Sequence, residues 1–293
     1  MKRTLSLPGR RTLSLGERPL VMGIVNLTPD SFFPDSRSPE PARAVERALA
    51  LQEEGAEILD FGAESTRPGS APVDPKEEIR RLIPTLKAFR ARSGAVVSVD
   101  TRKAEVARAA LDEGADIVND IAALSDPGMT ALVARTGAGL VLMHMLGEPS
   151  TMQESPVYDD CAAQVAEYLR AVAARALAAG VSKDSIILDP GIGFGKTLEH
   201  NLDLLKRLYL IVECGYPVLV GLSRKRFIGQ ISGKPVEKRL AGSLGAACAA
   251  WLGGADIIRV HDVAQTKDAL ALFTACLPEK TQSERAVRAI DEF

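Results

Sequence analysis

The 293-residue chain is 46% apolar and 4% aromatic, and its 36 lysines and arginines nearly balance 38 acids, for a net charge near −2. That balance gives no general reason to bind nucleic acid or an anionic membrane, so any anion site must be local; the length and apolar share suit one large α/β core. The four cysteines, Cys161, Cys214, Cys248 and Cys276, form no Cys-x-x-Cys pair, which argues against a zinc knuckle or a disulfide framework and suits free thiols in a reducing cytoplasm. Pro8-Gly9-Arg10-Arg11 interrupts any signal core behind the basic start, and no run reaches the ~18 apolar residues of a membrane span. A cytoplasmic protein is expected.

In chain order, Arg-Thr-Leu-Ser-Leu occurs at 3–7 and again at 11–15, around Pro8-Gly9-Arg10; two short alternating strands joined by a turn predict a hairpin within 1–18. From Leu20 onward, short apolar runs alternate with Ala- and Leu-rich helical stretches, the signature of βαβ units and a parallel sheet. Eight rounds are expected, with strands near 20–26, 57–61, 95–99, 116–119, 139–144, 185–189, 217–221 and 256–259. Helices are expected at 41–54, 105–113, 165–179 and 237–252 among others. Gly55, Gly114, Gly180 and Gly253 follow last turns, where a left-handed cap is wanted. One phrase recurs at three joints: Glu-Gly-Ala-Glu-Ile at 54–58, Glu-Gly-Ala-Asp-Ile at 113–117 and Gly-Gly-Ala-Asp-Ile at 253–257. Eight units without an opening Gly-x-Gly-x-x-Gly predict a single (β/α)₈ TIM barrel over 20–277 rather than an open sheet, with a charged tail at 278–293.

The site of such a barrel lies at the C-terminal mouth of its strands, so the polar residues that close each run carry the information. They are Asn26; Glu64, Thr66 and Arg67; Asp100; Asn119; His144; Asp189; Lys225; and Arg259 with His261. The run around Asp189, Ile-Ile-Leu-Asp-Pro-Gly-Ile-Gly-Phe-Gly-Lys-Thr, imitates a phosphate-binding P-loop. It fails that pattern because Pro190 stands where the first glycine belongs. What remains is a carboxylate at a strand end, glycines that let backbone approach a ligand, and Phe194 to cover a ring. Asp100, Asn119, Asp189 and Lys225 together offer acceptors, an amide that donates and accepts, and a cation, an inventory suited to a flat heterocycle with amino and oxo groups. Arg259 and His261 form a cationic side where late barrel strands commonly bind phosphate. His144, between Met143 and Met145, reads as well as a core histidine as a site residue. Segments 27–37 and 64–73 read as covering loops. No tight metal cage is present, but Mg²⁺ held mostly by substrate phosphates needs only one or two protein oxygens, and Asn26 offers one.

With these residues in view the chain resembles the dihydropteroate synthase family from about Leu20 to Leu277. The resemblance rests on Met22-Gly23-Ile24-Val25-Asn26-Leu27-Thr28-Pro29-Asp30-Ser31-Phe32, Glu64-Ser65-Thr66-Arg67-Pro68-Gly69, Ser98-Val99-Asp100-Thr101 and Val118-Asn119-Asp120-Ile121. It continues through Met143-His144-Met145 with Thr151-Met152-Gln153, the Asp189 run, Ser223-Arg224-Lys225 and Arg259-Val260-His261-Asp262. It implies a transferase of folate biosynthesis and a family that is a sulfonamide target. The reaction would join 4-aminobenzoate to 7,8-dihydropterin-6-ylmethyl diphosphate with Mg²⁺, in a homodimer. It implies pterin contacts from Asp100, Asn119, Asp189 and Lys225, and 4-aminobenzoate contacts from Thr66, Arg67, Pro68, Phe194 and Lys225. Diphosphate contacts would come from Asn26, Arg67, Arg259 and His261, with the metal at Asn26. The residues taking part in the chemistry would be Asp35, Asp100, Lys225, Arg259 and His261.

Two departures stand out. The first loop reads Phe32-Phe33-Pro34-Asp35-Ser36-Arg37, with an extra residue and no glycines, so either Asp30 or Asp35 supports the cation. Arg226 follows Ser-Arg-Lys where many relatives carry serine. A corrinoid-dependent methyltetrahydrofolate methyltransferase and a catalytically idle pterin-binding homologue remain competing readings at this level.

Overall fold

The structure, a computed structural model, describes residues 3–16, 18–27, 40–65 and 69–278. The hairpin is present: β1 (Arg3–Ser6) pairs antiparallel with β2 (Thr12–Leu15). The barrel strands are β3 (Leu20–Asn26), β4 (Ile58–Gly62), β5 (Val96–Asp100), β6 (Ile117–Asp120), β7 (Gly139–Met143), β8 (Ile186–Asp189), β9 (Leu219–Gly221) and β10 (Ile257–Val260). Between them run α1 (Glu40–Glu53), α2 (Pro75–Arg90), α3 (Ala104–Asp112), α4 (Pro127–Thr136), α5 (Cys161–Ala178), α6 (Leu198–Lys206), α7 (Tyr209–Val212), α8 (Arg226–Ser232) and α9 (Leu240–Leu252), with α10 (Val263–Cys276) last.

All eight strands are parallel, in the order β8-β7-β6-β5-β4-β3-β10-β9. The two ends meet where Leu188 N–H donates to Pro217 O at 2.9 Å and Leu188 pairs with Val218. The sheet is thus a closed barrel, as predicted, and most strands sit within one or two residues of their expected bounds. The helix expected at 237–252 begins at Leu240, after a separate 3₁₀ turn at Val236–Lys238.

Alternation along each strand sorts side chains into two cores. Outward residues such as Val21, Leu59, Val97, Val118, Leu140, Leu188, Val220 and Ile258 pack against the helices. Inward residues near the strand starts, Met22, Ile58, Val96, Ile117, Val141, Ile187, Leu219 and Ile257, form a second cluster closed from below by Leu5, Leu7 and Leu15 of the hairpin. The hairpin is therefore a plug. Its arginines add ionic ties to the barrel base, with Arg11 Nη1 2.6 Å from Asp116 Oδ1 and Arg3 Nη2 3.6 Å from Asp256 Oδ1.

The repeated phrase has a mechanical role. Its acidic residue accepts a backbone N–H at the base of a neighbouring strand each time: Glu57 from Val21 at 2.8 Å, Asp116 from Val97 at 2.9 Å and Asp256 from Val218 at 2.9 Å. Gly55, Gly114 and Gly180 take the left-handed conformation expected of them. Gly253 does not: its φ is −72°, and Gly254 at +102° makes the turn. The glycine directly before alanine is the one that turns in the repeat, and at the third joint that residue is Gly254.

Candidate active site

Two residues above the apolar floor, the same inward face becomes polar. Ile58, Ile117 and Ile257 are followed at i+2 by Asp60, Asn119 and Arg259; Val96 is followed by Ser98 and then Asp100; Ile187 is followed by Asp189. Arg259 organises the first half of this layer. Its Nε donates to Asp60 Oδ2 at 2.6 Å and its Nη2 to Asp100 Oδ2 at 2.8 Å, while Asn119 Nδ2 donates to Asp60 Oδ2 at 3.2 Å. Burial raises the Asp100 carboxyl and the nearby Asp60 charge adds to the shift, against the opposing pull of Arg259. Asp60 Oδ1, Asn119 Oδ1 and Ser98 Oγ are buried without a hydrogen-bond partner among the described residues. A buried orphan acceptor costs about 1–3 kcal/mol, so this layer has acceptors in reserve for a donor-bearing ligand.

The second half is built on loops. Asp189 ends β8 with Oδ1 accepting Gly191 N–H at 2.7 Å, and its carboxyl is raised by burial, opposed chiefly by Lys225. Lys225 Nζ donates to Ile192 O and stands 4.6 Å from the centre of the Phe194 ring. Burial pulls this lysine down to about 8, while Asp189 favours its charge. The backbone that delivers it is left-handed at Arg224 (φ 58°). Arg224 grips Asp262 with two bonds of 3.0 and 2.6 Å, which ties the loop after β9 to the loop after β10. Ser223 Oγ lies 3.1 Å from His261 Nδ1 and accepts His261 N–H at 3.3 Å. Arg259 also exerts its charge on Asp189 and on Lys225, so both halves share one electrostatic site.

Asp100, Asn119, Asp189, Lys225, Phe194 and Arg259 thus converge on the mouth, with His261 on the adjoining loop and Asn26 at the end of β3 beside β10. Asp30, Asp35, Thr66, Arg67 and Pro68 lie outside the described residues, as do most of segment 27–37 and the tail beyond Pro278. Glu64 is otherwise engaged: Lys103 Nζ donates to it at 2.8 Å and Val73 N–H at 3.1 Å. His144 is buried against Lys196, Nζ to Nδ1 3.0 Å, and is kept neutral by burial with a pKa of about 3, which makes it a core residue. Arg226 is exposed at the start of α8. The residue that reading strand ends missed is Asp60. The signal was a lone carboxylate inside the apolar run Ile58-Leu59-Asp60-Phe61, in register with the inward isoleucine two positions before it.

Residues 22–261 match the family described as pterin binding enzyme. The dihydropteroate synthase of Escherichia coli strain K12 is 47% identical over 262 residues, 89% of this chain and 93% of that protein. The chain belongs to the dihydropteroate synthase family. Solved members share the fold closely. The Xanthomonas albilineans dihydropteroate synthase with 4-aminobenzoic acid superposes with a TM-score of 0.89 at 44% identity, covering 95% of this chain and 100% of that one. The Thermus thermophilus enzyme in complex with 6HMPPP gives 0.81 at 47% identity, covering 94% and 100%.

Proposed function

We propose that the chain condenses dihydropterin-6-ylmethyl diphosphate with 4-aminobenzoate to give dihydropteroate and diphosphate. The observation that carries this reading is the convergence, on one inward layer, of buried acceptors with a half-buried guanidinium. Asp189 and Asn119 offer acceptors to the amino and ring N–H groups of a pterin, and Lys225 offers a donor to its oxo group. Arg259, fixed by Asp60 and Asp100, presents a positive charge where diphosphate charge grows as the methylene C–O bond breaks. The arylamine nitrogen then forms the new C–N bond and gives up a proton, with Phe194 covering its ring and Lys225 beside it. No covalent intermediate with the protein is required.

Magnesium suits the donors at hand. Among the described residues no group of three His, Cys, Asp or Glu could cage a metal. Asn26, half-buried at the end of β3, offers the kind of amide oxygen that supplements phosphate ligands of Mg²⁺. Asn26 would hold the ion with the substrate, and the ion when bound supplies charge stabilisation to the departing diphosphate. No described helix is long and apolar enough to cross a membrane, in keeping with the cytoplasmic location we assign. A homodimer is the assembly that the family resemblance implies.

The test is turnover. Purified protein with Mg²⁺ and the pterin diphosphate should release diphosphate only when 4-aminobenzoate is added, with stoichiometric dihydropteroate. Tight pterin binding without release would overturn the synthase reading and favour the idle homologue; corrinoid-dependent methyl transfer would favour the methyltransferase.

A further inference from the structure

The loop at 190–197 that carries Phe194 is fastened from beneath by a lysine to which the proposed reaction gives no role. Lys196 is 3% exposed. Its Nζ lies 3.0 Å from His144 Nδ1, 2.9 Å from Phe194 O and 3.4 Å from His144 O. An ammonium has three N–H donors, and here it meets three acceptors. No carboxylate pairs with it directly among the described residues. His144 can accept through Nδ1 because it is neutral: burial, aided by the Lys196 charge, holds it down at about 3. Tyr168 seals the imidazole edge-on at 4.9 Å, and Tyr158 stands at 6.0 Å with His200 beyond it.

The same two loops meet at further points. Gln153 Nε2 donates to Gly193 O at 2.7 Å and Tyr158 Oη to Gly195 O at 2.9 Å. A Cβ at Gly191 would fall 1.9 Å from His144 O, and one at Gly195 would fall 2.5 Å from Leu146 O. Both are left-handed, so glycine is required there twice over. The loop rests directly on the backbone after β7, and Lys196 is the one charged fastener in that contact among the described residues. Two site features ride on it: the Phe194 ring, and Ile192 O, which receives the Lys225 ammonium.

We propose that Lys196 is a positioning residue for the arylamine end of the site, its ammonium locking loop 190–197 onto His144 so that Phe194 and Lys225 stand where the second substrate arrives. The assignment of that end rests on the synthase reading above. The lock works only while the ammonium keeps its proton. Burial holds Lys196 down at about 7; the Asp189 charge favours the ammonium, and Lys225 opposes it. Because this lysine is charged below its lowered pKa, the lock is complete in mild acid. It slackens as the pH rises through about 7, when two N–H donors remain for three acceptors.

The test pairs Lys196→Met, which keeps length but removes the donors, with His144→Leu, which removes an acceptor from the other side. Steady-state kinetics should show the KM for 4-aminobenzoate rising about tenfold in Lys196→Met, the size of one lost buried hydrogen bond, with the KM for the pterin diphosphate nearly unchanged. His144→Leu should do the same to a lesser degree, and the double variant should fall short of the product of the two. In wild type the 4-aminobenzoate KM should rise through about pH 7, and Lys196→Met should lack that step. Equal rises in both KM values, additive effects, or an unchanged pH step would overturn the proposal. If Lys196→Met does not fold, His144→Leu and the wild-type pH profile decide it. Crystal structures of wild type and variant give a readout free of turnover: the proposal requires loop 190–197 to shift and the Lys225–Ile192 bond to be lost in the variant. Absence of turnover in wild type would sink the synthase reading instead, leaving the lock to be judged on those structures.

Discussion

The floor and the mouth of this barrel are built from the same strands, two residues apart, and do opposite things. At the floor, Ile58, Ile117, Ile187 and Ile257 join the hairpin's Leu5, Leu7 and Leu15 in a dry plug. One inward step higher, about 7 Å along a strand, the corresponding positions are Asp60, Asn119, Asp189 and Arg259, all but Arg259 buried and two of them, Asp60 and Asn119, with an acceptor unpaired among the described residues. Stability is gathered at one end of each strand and given up at the other, where buried charge waits for a ligand to complete its bonding.

If the two layers divide the work in this way, substitutions should separate binding from stability. The largest effect is expected from Asp189→Ala, which should weaken dihydropterin binding about a thousandfold, the size of two charge-assisted hydrogen bonds, as read by calorimetric titration. Next, Leu5→Ala should cost about 2–5 kcal/mol in denaturant unfolding while leaving both KM values alone, because the fully buried side chain touches only the floor. Arg259→Lys should weaken the diphosphate ester roughly 10–100-fold, and the free pterin far less, since a fork that grips two carboxylates becomes a point charge; equal losses would remove Arg259 from the diphosphate side. Asp60→Asn should lower kcat/KM about tenfold with the fold intact, by loosening Arg259 and Asn119 together.

The smallest effect is in pH. Lys225 falls in the folded protein from the ordinary 10.5 to about 8. It is charged below that value, so kcat/KM for the pterin diphosphate, which the Lys196 lock leaves nearly untouched, should hold steady on the acid side and decline as the pH rises through about 8. Lys225→Arg should abolish that decline, because a guanidinium does not titrate there.

Much of this division was legible in the sequence. Short apolar runs with Gly-Ala-acid-Ile joints predicted eight strands, and the residues closing them predicted Asp100, Asn119, Asp189, Lys225 and Arg259 at one mouth. The hairpin was legible too, but not its use as a plug, since which end of the barrel it closes is a long-range matter that local pattern does not encode. Asp60 was passed over because it does not close a strand; only the register that pairs it with Ser98 and Ile24 reveals that it faces inward. His144 gave no clear sign either way until its partner, Lys196, was seen across 52 residues of chain. Gly253 and Gly254 are alike in the sequence as ends of the helical pattern, and only the repeat alignment distinguishes them.

The most direct measurement is a crystal structure of the protein with a dihydropterin bound. The ligand should lie in the mouth layer, its amino and ring N–H groups on Asp189 and Asn119 and its oxo group toward Lys225, with the 6-substituent directed at Arg259. Ordered ligand elsewhere on the molecule, or a mouth in which Asp189 and Asn119 make no contact with it, would contradict the account.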